Sequence, residues 1–210
     1  MSLKKCYQIY MIGVGGQGTI KTATIIGEAA MAQGLNVVMS EVHGMAQRGG
    51  TVVTELKIGN ALSPLIEKYS ADLLLAFEPS ELLRATRVIR KDTHIIANCS
   101  TIVPFTVSLG ISEYPDINQI LTRLSKKVNN LYLIDAEKIA QEAGHIITAN
   151  IVILGAALTT TKFPVKKEAI IESIKQNLPA HSIDMNIKAL EMGYQEFSTV
   201  SNKLKNVSFK

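Results

Sequence analysis

The chain has 210 residues, of which 47% are hydrophobic, with five Phe, six Tyr and no Trp. That length fits one large domain, and a core so poor in aromatics must be built from Ile, Val, Leu and Ala, as in layered α/β proteins. The formal net charge is +4 and there are two cysteines, Cys6 and Cys99, too few for a cysteine-ligated cluster or zinc site made by this chain alone.

Both cysteines end apolar runs and are read as buried free thiols, not a disulfide. Much of the charge excess lies in the tail, where Lys203, Lys205 and Lys210 follow a polar segment. A solvated end is preferred there over a nucleic-acid contact. The N-terminus shows no signal-peptide pattern, and no run reaches the roughly 18 apolar residues of a membrane span. A soluble, cytoplasmic protein is expected, with no membrane partner.

In chain order, Cys6 to Ile12 is a first strand pattern, ended by Gly13. Gly18 to Gln33 turns helical, with Ala23, Ile26, Gly27 and Ala30 on one face and Gly34 as the terminating residue. Leu35 to Ser40 is a second strand, completing a βαβ unit whose strands are expected to lie parallel and adjacent. Thr51 to Ile58 alternates, which places it near a sheet edge, and the short connection predicts that it runs antiparallel to strand two. Ser63-Pro64 is read as the start of a short helix. Asp72 to Phe77 is a central strand, followed by a helix through Arg90 and a buried strand at His94 to Asn98. Pro104 to Leu109 is read as an excursion or edge hairpin. Asn118 to Val128 is a helix, Leu131 to Ile134 a strand, and Asp135 caps a helix to about Ala143. Ala149 to Thr161 is apolar nearly all round and reads as a buried helix. Helices at Lys166 to Asn177 and Ile183 to Gln195 complete a single domain over 1–196, before a polar basic tail at 197–210. The fold class expected is α/β, a Rossmann-like doubly wound, mainly parallel sheet with helices on both faces.

Two loops carry the functional signal. Gly13-x-Gly15-x-x-Gly18 sits between a strand and a helix, the context of a dinucleotide-binding turn whose helix N-terminus accepts an anion. Glu41, ending strand two, falls where a ribose-binding acid would stand. Two features depart from that pattern. Gly16 and Gln17 lie inside the motif, and Glu41 opens a second loop containing His43, Arg48, Gly49 and Gly50, whose backbone donors and guanidinium suit an anion clamp. His43 is a candidate acid or base, though an interface role is preferred. His94, His145 and His181 show no metal-ligand spacing and are read as structural. Asn150, with Thr148, opens the buried helix and is kept as a site candidate beside a capping role. A stand-alone NAD(P)-binding dehydrogenase is the alternative left open by the residues themselves.

In combination, Gly13-Val14-Gly15-Gly16-Gln17-Gly18, the Arg48-Gly49-Gly50 loop and Asn150-Ile151-Val152-Ile153-Leu154-Gly155-Ala156 resemble the gamma-type subunit or domain of 2-oxoacid:ferredoxin oxidoreductases. The form Ser40-Glu41-Val42-His43-Gly44-Met45-Ala46-Gln47-Arg48-Gly49-Gly50 looks most like the beta-subunit branch that serves indolepyruvate. The resemblance implies a share in the oxidative decarboxylation of an arylpyruvate, with coenzyme A as acyl acceptor and ferredoxin as electron acceptor. It also implies that thiamine diphosphate, Mg and the iron–sulfur clusters sit in a partner, the indolepyruvate oxidoreductase alpha subunit. Coenzyme A is then the candidate ligand of Gly13, Gly15, Gly16, Gln17, Gly18, Arg48, Gly49 and Gly50. Glu41, His43 and Asn150 are candidates for substrate or interface contact. No catalytic residue and no metal ligand is assigned.

Overall fold

Apolar residues on successive positions of the strand patterns point alternately to two faces of one sheet, and each face carries its own core. Ile9, Met11, Leu73, Leu75 and Ile96 pack into one, while Tyr10, Ile12, Leu74, Ala76 and Ile95 pack into the other. The computed structural model describes residues 6–43, 50–101, 107, 110 and 113–200. Its strands are β1 (Tyr7–Val14), β2 (Val37–His43), β3 (Thr51–Ile58), β4 (Leu73–Ala76), β5 (His94–Asn98) and β6 (Asn130–Ile134), in the order β2-β3-β1-β4-β5-β6. Only β3 runs against the others, pairing antiparallel with both β1 and β2. The remaining neighbours, β1-β4, β4-β5 and β5-β6, are parallel.

The expected α/β, mainly parallel sheet covered on both faces is therefore present, with one correction to its wiring. Strands β1 and β2 point the same way but are not neighbours, because β3 is inserted between them. Strand β3, near an edge as expected, is flanked on both sides with β2 outermost, so its alternation does not simply mark a water-facing side. The polar member of β3's alternation that suggested water is Glu55, which is 3% exposed. Its carboxylate accepts from Arg87 Nη2 at 2.6 Å and from Ile66 N at 2.7 Å, so its charge is partnered rather than solvated.

The first face is covered by helices α1 (Thr19–Ala32), α4 (Ala136–Ala143), α5 (Ala149–Ala157), α6 (Lys167–Asn177) and α7 (Ile183–Val200). The second carries α2 (Leu82–Ala85) and α3 (Ile117–Ser125). Helix α1 ends where Gly34 predicts: Gly34 N donates to Met31 O and Leu35 N to Ala30 O, with Gly34 at φ +76°. Asp135 caps α4 by accepting from Lys138 N. Helix α5 has seven buried residues among nine, as its uniform apolarity requires.

Elsewhere local signals were overridden. Ser63-Pro64 starts no helix, because Ile66 N is already taken by Glu55 and Ser63 Oγ instead accepts from Leu65 N at 3.4 Å. The helix expected through Arg90 is a 3-10 turn at Pro79–Glu81 followed by the short α2, while α7 continues to Val200 rather than stopping at Gln195. The two thiols are not buried: Cys6 is half-buried and Cys99 exposed. Most of Pro104 to Leu109 lies outside the described residues. Among the described residues, no helix is long and apolar enough to cross a membrane.

Candidate functional site: the cleft at the glycine loop

The sheet's strand order reverses at β1. The chain leaves β1 for α1 on one face, and leaves its neighbour β4 for α2 on the other. In an open α/β sheet the crevice outside such a pair of carboxyl ends is the usual ligand site. Here a side chain fills it. Gln17 Oε1 accepts from Val14 N at 2.9 Å while Gln17 Nε2 donates to Phe77 O at 3.1 Å, bridging the ends of β1 and β4. Asn98 continues the floor: its Nδ2 reaches the same Phe77 O at 3.4 Å and its Oδ1 accepts from Ala136 N at 3.2 Å. The two carboxamides fasten β1, β4, β5 and the start of α4 into one ledge.

This arrangement explains the glycines. A methyl on Gly13 would stand 2.7 Å from Gln17 Oε1, so Gly13 makes room for the glutamine. Gly18 caps α1 at φ +75°, and a methyl there would meet Asn150 Nδ2 at 2.7 Å. Asn150 Nδ2 also donates to Thr22 Oγ1 at 3.2 Å, which in turn donates to Gly18 O at 3.0 Å. Asn150 thus ties the N-terminus of α5 to that of α1. Gly16, by contrast with Gly13 and Gly18, has nothing within 4 Å of its missing methyl, at φ +100°.

Beside this ledge opens a cleft of about 880 Å³. Gly16, Gly18, Lys21 and Asn150 line it, together with the turn His145–Ile147 and the residues His181, Met185 and Asn186. Helices α1 and α5 both present their N-termini to it, neither with a side-chain cap nor an acidic residue in its first turn. The positive dipole ends favour an anion, and Lys21 adds a charge. The uncapped start of α1 acts most directly, since at α5 the preceding turn takes the first N–H, Ala149 N donating to Ile146 O. Among the described residues, Glu137 is the one carboxylate on the lining. Ile146 and Ile147 are exposed, at 47% and 73%, and supply an apolar rim. His145 Nδ1 accepts from Ile147 N at 3.1 Å, which leaves Nε2 to carry the ring proton.

Among the candidates from the sequence, the structure brings together Gly13, Gly15, Gly16, Gln17, Gly18, Gly50 and Asn150. Gly50 joins them because Gly15 N donates to Gly50 O at 3.0 Å. Arg48 and Gly49 lie outside the described residues. Glu41 is exposed on the edge strand, opposite Thr54, and His43 ends that strand opposite Val52. With β3 between, Glu41 lies two strand spacings, roughly 10 Å, from β1. A ribose-binding acid must adjoin the glycine turn, so that part of the dinucleotide pattern is not realised. His145, His181, Met185 and Asn186 were not predicted as lining residues. The apolar pair Ile146-Ile147 after Gly144 was a sequence signal for His145 alone, and the other three come from a distant segment.

Comparison with known proteins places the chain. The family model described as pyruvate ferredoxin/flavodoxin oxidoreductase matches residues 8–196. The chain belongs to this family. Within it, the chain is 47% identical over 188 residues to indolepyruvate oxidoreductase subunit IorB of Methanothermobacter thermautotrophicus, covering 90% of this chain and 96% of the relative. The pyruvate/ketoisovalerate oxidoreductases common subunit gamma of Pyrococcus furiosus is 30% identical over 88% of this chain and 93% of its own length. Among solved structures, the keto/oxoacid ferredoxin oxidoreductase gamma subunit of Geobacter sulfurreducens superposes with a TM-score of 0.65 at 26% identity, covering 92% of this chain and 99% of that one. The fold is thus that of the family's gamma-type subunits, and the chain is an oxidoreductase subunit of that type.

Proposed function

We propose that this chain is the smaller subunit of a 2-oxoacid:ferredoxin oxidoreductase acting on an arylpyruvate such as indolepyruvate. In that reaction the 2-oxoacid loses carbon dioxide, its acyl group passes to coenzyme A, and the electrons pass to ferredoxin. The observation that carries the substrate class is the gap between relatives: 47% identity to an indolepyruvate subunit against 30% to a pyruvate/ketoisovalerate one, each over about nine-tenths of the chain. Two cysteines supply half of a four-cysteine cluster set, so the clusters, with thiamine diphosphate and Mg, are assigned to an indolepyruvate oxidoreductase alpha subunit.

Coenzyme A is the ligand whose chemistry the cleft fits. Its phosphates suit the two acid-free helix N-termini and Lys21, and its long arm suits the apolar rim at Ile146, Ile147 and Met185. Gly16, Gly18, Lys21 and Asn150 would hold the anionic end. These residues bind and orient; none of them is assigned a proton transfer. The NAD(P)-dehydrogenase alternative loses its footing in the geometry, since Gln17 occupies the crevice between β1 and β4 and Glu41 stands on the far edge.

The test is co-expression with the alpha subunit and measurement of ferredoxin reduction dependent on coenzyme A. Indolepyruvate should be oxidised well, pyruvate poorly, and the isolated chain should do neither. Lys21→Glu should raise KM for coenzyme A about tenfold with kcat little changed, the equivalent of one charge-assisted contact of about 1.4 kcal/mol. A folded chain that never joins the alpha subunit ends this reading, and an unchanged KM removes the cleft assignment.

A further inference from the structure

The cleft lies at the carboxyl ends of the parallel strands. At their amino ends there is a second concavity, of about 500 Å³, lined chiefly by Tyr69, Arg87, Arg90, Lys91, Leu124 and Lys127. Among the described residues no carboxylate lines it. Two carboxylates stand behind it. Glu55 pairs with Arg87, which also donates to Ile66 O, and Asp72 pairs with Arg90, which also donates to Ser70 O. Each guanidinium is therefore held in place from the inside while its side chain stays partly exposed, at 48% for Arg87 and 29% for Arg90.

Lys91 and Lys127 are exposed and make no ion pair among the described residues. They come from different segments. The bond from Asn129 N to Lys91 O, at 2.9 Å, holds the turn before β5 against the chain leaving α3 and puts both ammonium groups on one rim. Asp92, next to Lys91 in sequence, accepts from Asn129 Nδ2 and is not part of the lining. A basic residue at the end of α3 is accounted for by the helix dipole, but Lys91 is not part of a helix. Like charges held side by side are unfavourable in the free chain and become favourable when an acidic surface meets them. Tyr69, 66% exposed, adds the aromatic surface common in protein interfaces, while Leu124, at 3% exposed, belongs to the core beneath the groove.

We infer that this groove docks an acidic segment of the larger subunit, an inference that rests on the subunit reading above. An electron carrier is a poorer occupant, because a chain with two cysteines offers no cluster of its own to hand it electrons. The fixed, partly exposed guanidinium groups add cationic surface to the groove, and the two lysines confer the long-range attraction.

The experiment uses the full chain and its alpha subunit, with the dissociation constant measured by biolayer interferometry at about 50 mM and about 500 mM NaCl. The double variant Lys91→Glu/Lys127→Glu should raise Kd about tenfold or more at low salt and far less at high salt. Lys175→Glu, remote on α6 and paired with Glu172, should change neither value. Circular dichroism and Tm confirm that each variant is folded. A double variant that binds like the wild type at both salts overturns the docking groove while leaving the subunit reading intact. A wild-type chain that does not bind at all removes both. Loss of retention on immobilised nucleic acid with unchanged subunit binding would also overturn it, in favour of a nucleic-acid surface.

Discussion

The substitution Gly155→Ala should be among the most damaging single-methyl changes in this protein. Helices α5 and α7 cross with their backbones in contact. A methyl at Gly155 would stand 2.1 Å from Leu190 O and 2.9 Å from Tyr194 N, and one at Gly193 would stand 2.1 Å from Val152 O. Ordinary contact begins near 3.4 Å, so the helices would have to part by about 1.3 Å. Both walls are backbone and cannot rotate away. Parting them also loosens the buried residues Ile151, Val152, Ile153 and Leu154. A Gly→Ala change in a free helix gains about 1 kcal/mol, whereas overpacking costs typically about 1–3 kcal/mol and more when the neighbours are rigid. We expect a net loss of about 3 kcal/mol, a fall in Tm of roughly 6–12 °C for a chain of this size. Gly27→Ala makes the contrast. Its methyl would find Val37 Cγ1 at 3.5 Å and Leu56 Cδ1 at 3.8 Å, ordinary contacts, so a gain of about 0.5–1 kcal/mol is expected. Urea denaturation followed by circular dichroism measures both. Equal stability of Gly155→Ala and wild type, or equal damage from the two substitutions, would refute the close-contact argument.

Gln17→Leu should cost about 1–3 kcal/mol, because the Val14 N–H loses its acceptor and Phe77 O one of its donors. An unchanged urea midpoint would show that the glutamine does not hold the ledge. Tyr7 carries a buried hydroxyl near Thr160 without a hydrogen bond of normal geometry, and burial pushes its pKa up to about 12. The fold therefore keeps the neutral phenol where the unfolded chain ionises. Its contribution is whole below pH 10 and is lost between about 10 and about 12, up to roughly 2–3 kcal/mol. Tyr7→Phe should leave stability at pH 7 unchanged or slightly higher and should lose less than the wild type between pH 9 and 11. Identical losses in both proteins would contradict this.

Features that depend on neighbours in sequence were legible. Gly34 ends α1 and Asp135 caps α4 because the groups they satisfy lie within a few residues. The buried face of Ala23, Ile26, Gly27 and Ala30, and the all-round burial of α5, follow from periodicity or its absence. Features that depend on distant partners were not. Glu55 looked like a water-facing residue until Arg87 and Ile66 supplied its partners from 32 and 11 positions away. Gln17 looked like a side chain at the mouth of a crevice, and only the position of Phe77, 60 residues on, shows that it closes that crevice. Ser63-Pro64 had sound helix-start chemistry but lost the competition for Ile66 N to the Glu55 carboxylate.

By itself, then, the sequence determined the layers, most helix ends and the family, since short-range hydrogen bonding, hydrophobic period and motif combination all act locally along the chain. The tertiary structure alone decided which strands are neighbours. A strand's pairing partner is chosen by backbone groups that any strand offers alike, so nothing in β1 or β2 announces that β3 will come between them. That insertion takes Glu41 away from the glycine loop. The docking of α5 and α7 then extends the concavity from the ledge of Gln17, Phe77 and Asn98 past Gly16, Lys21 and Asn150.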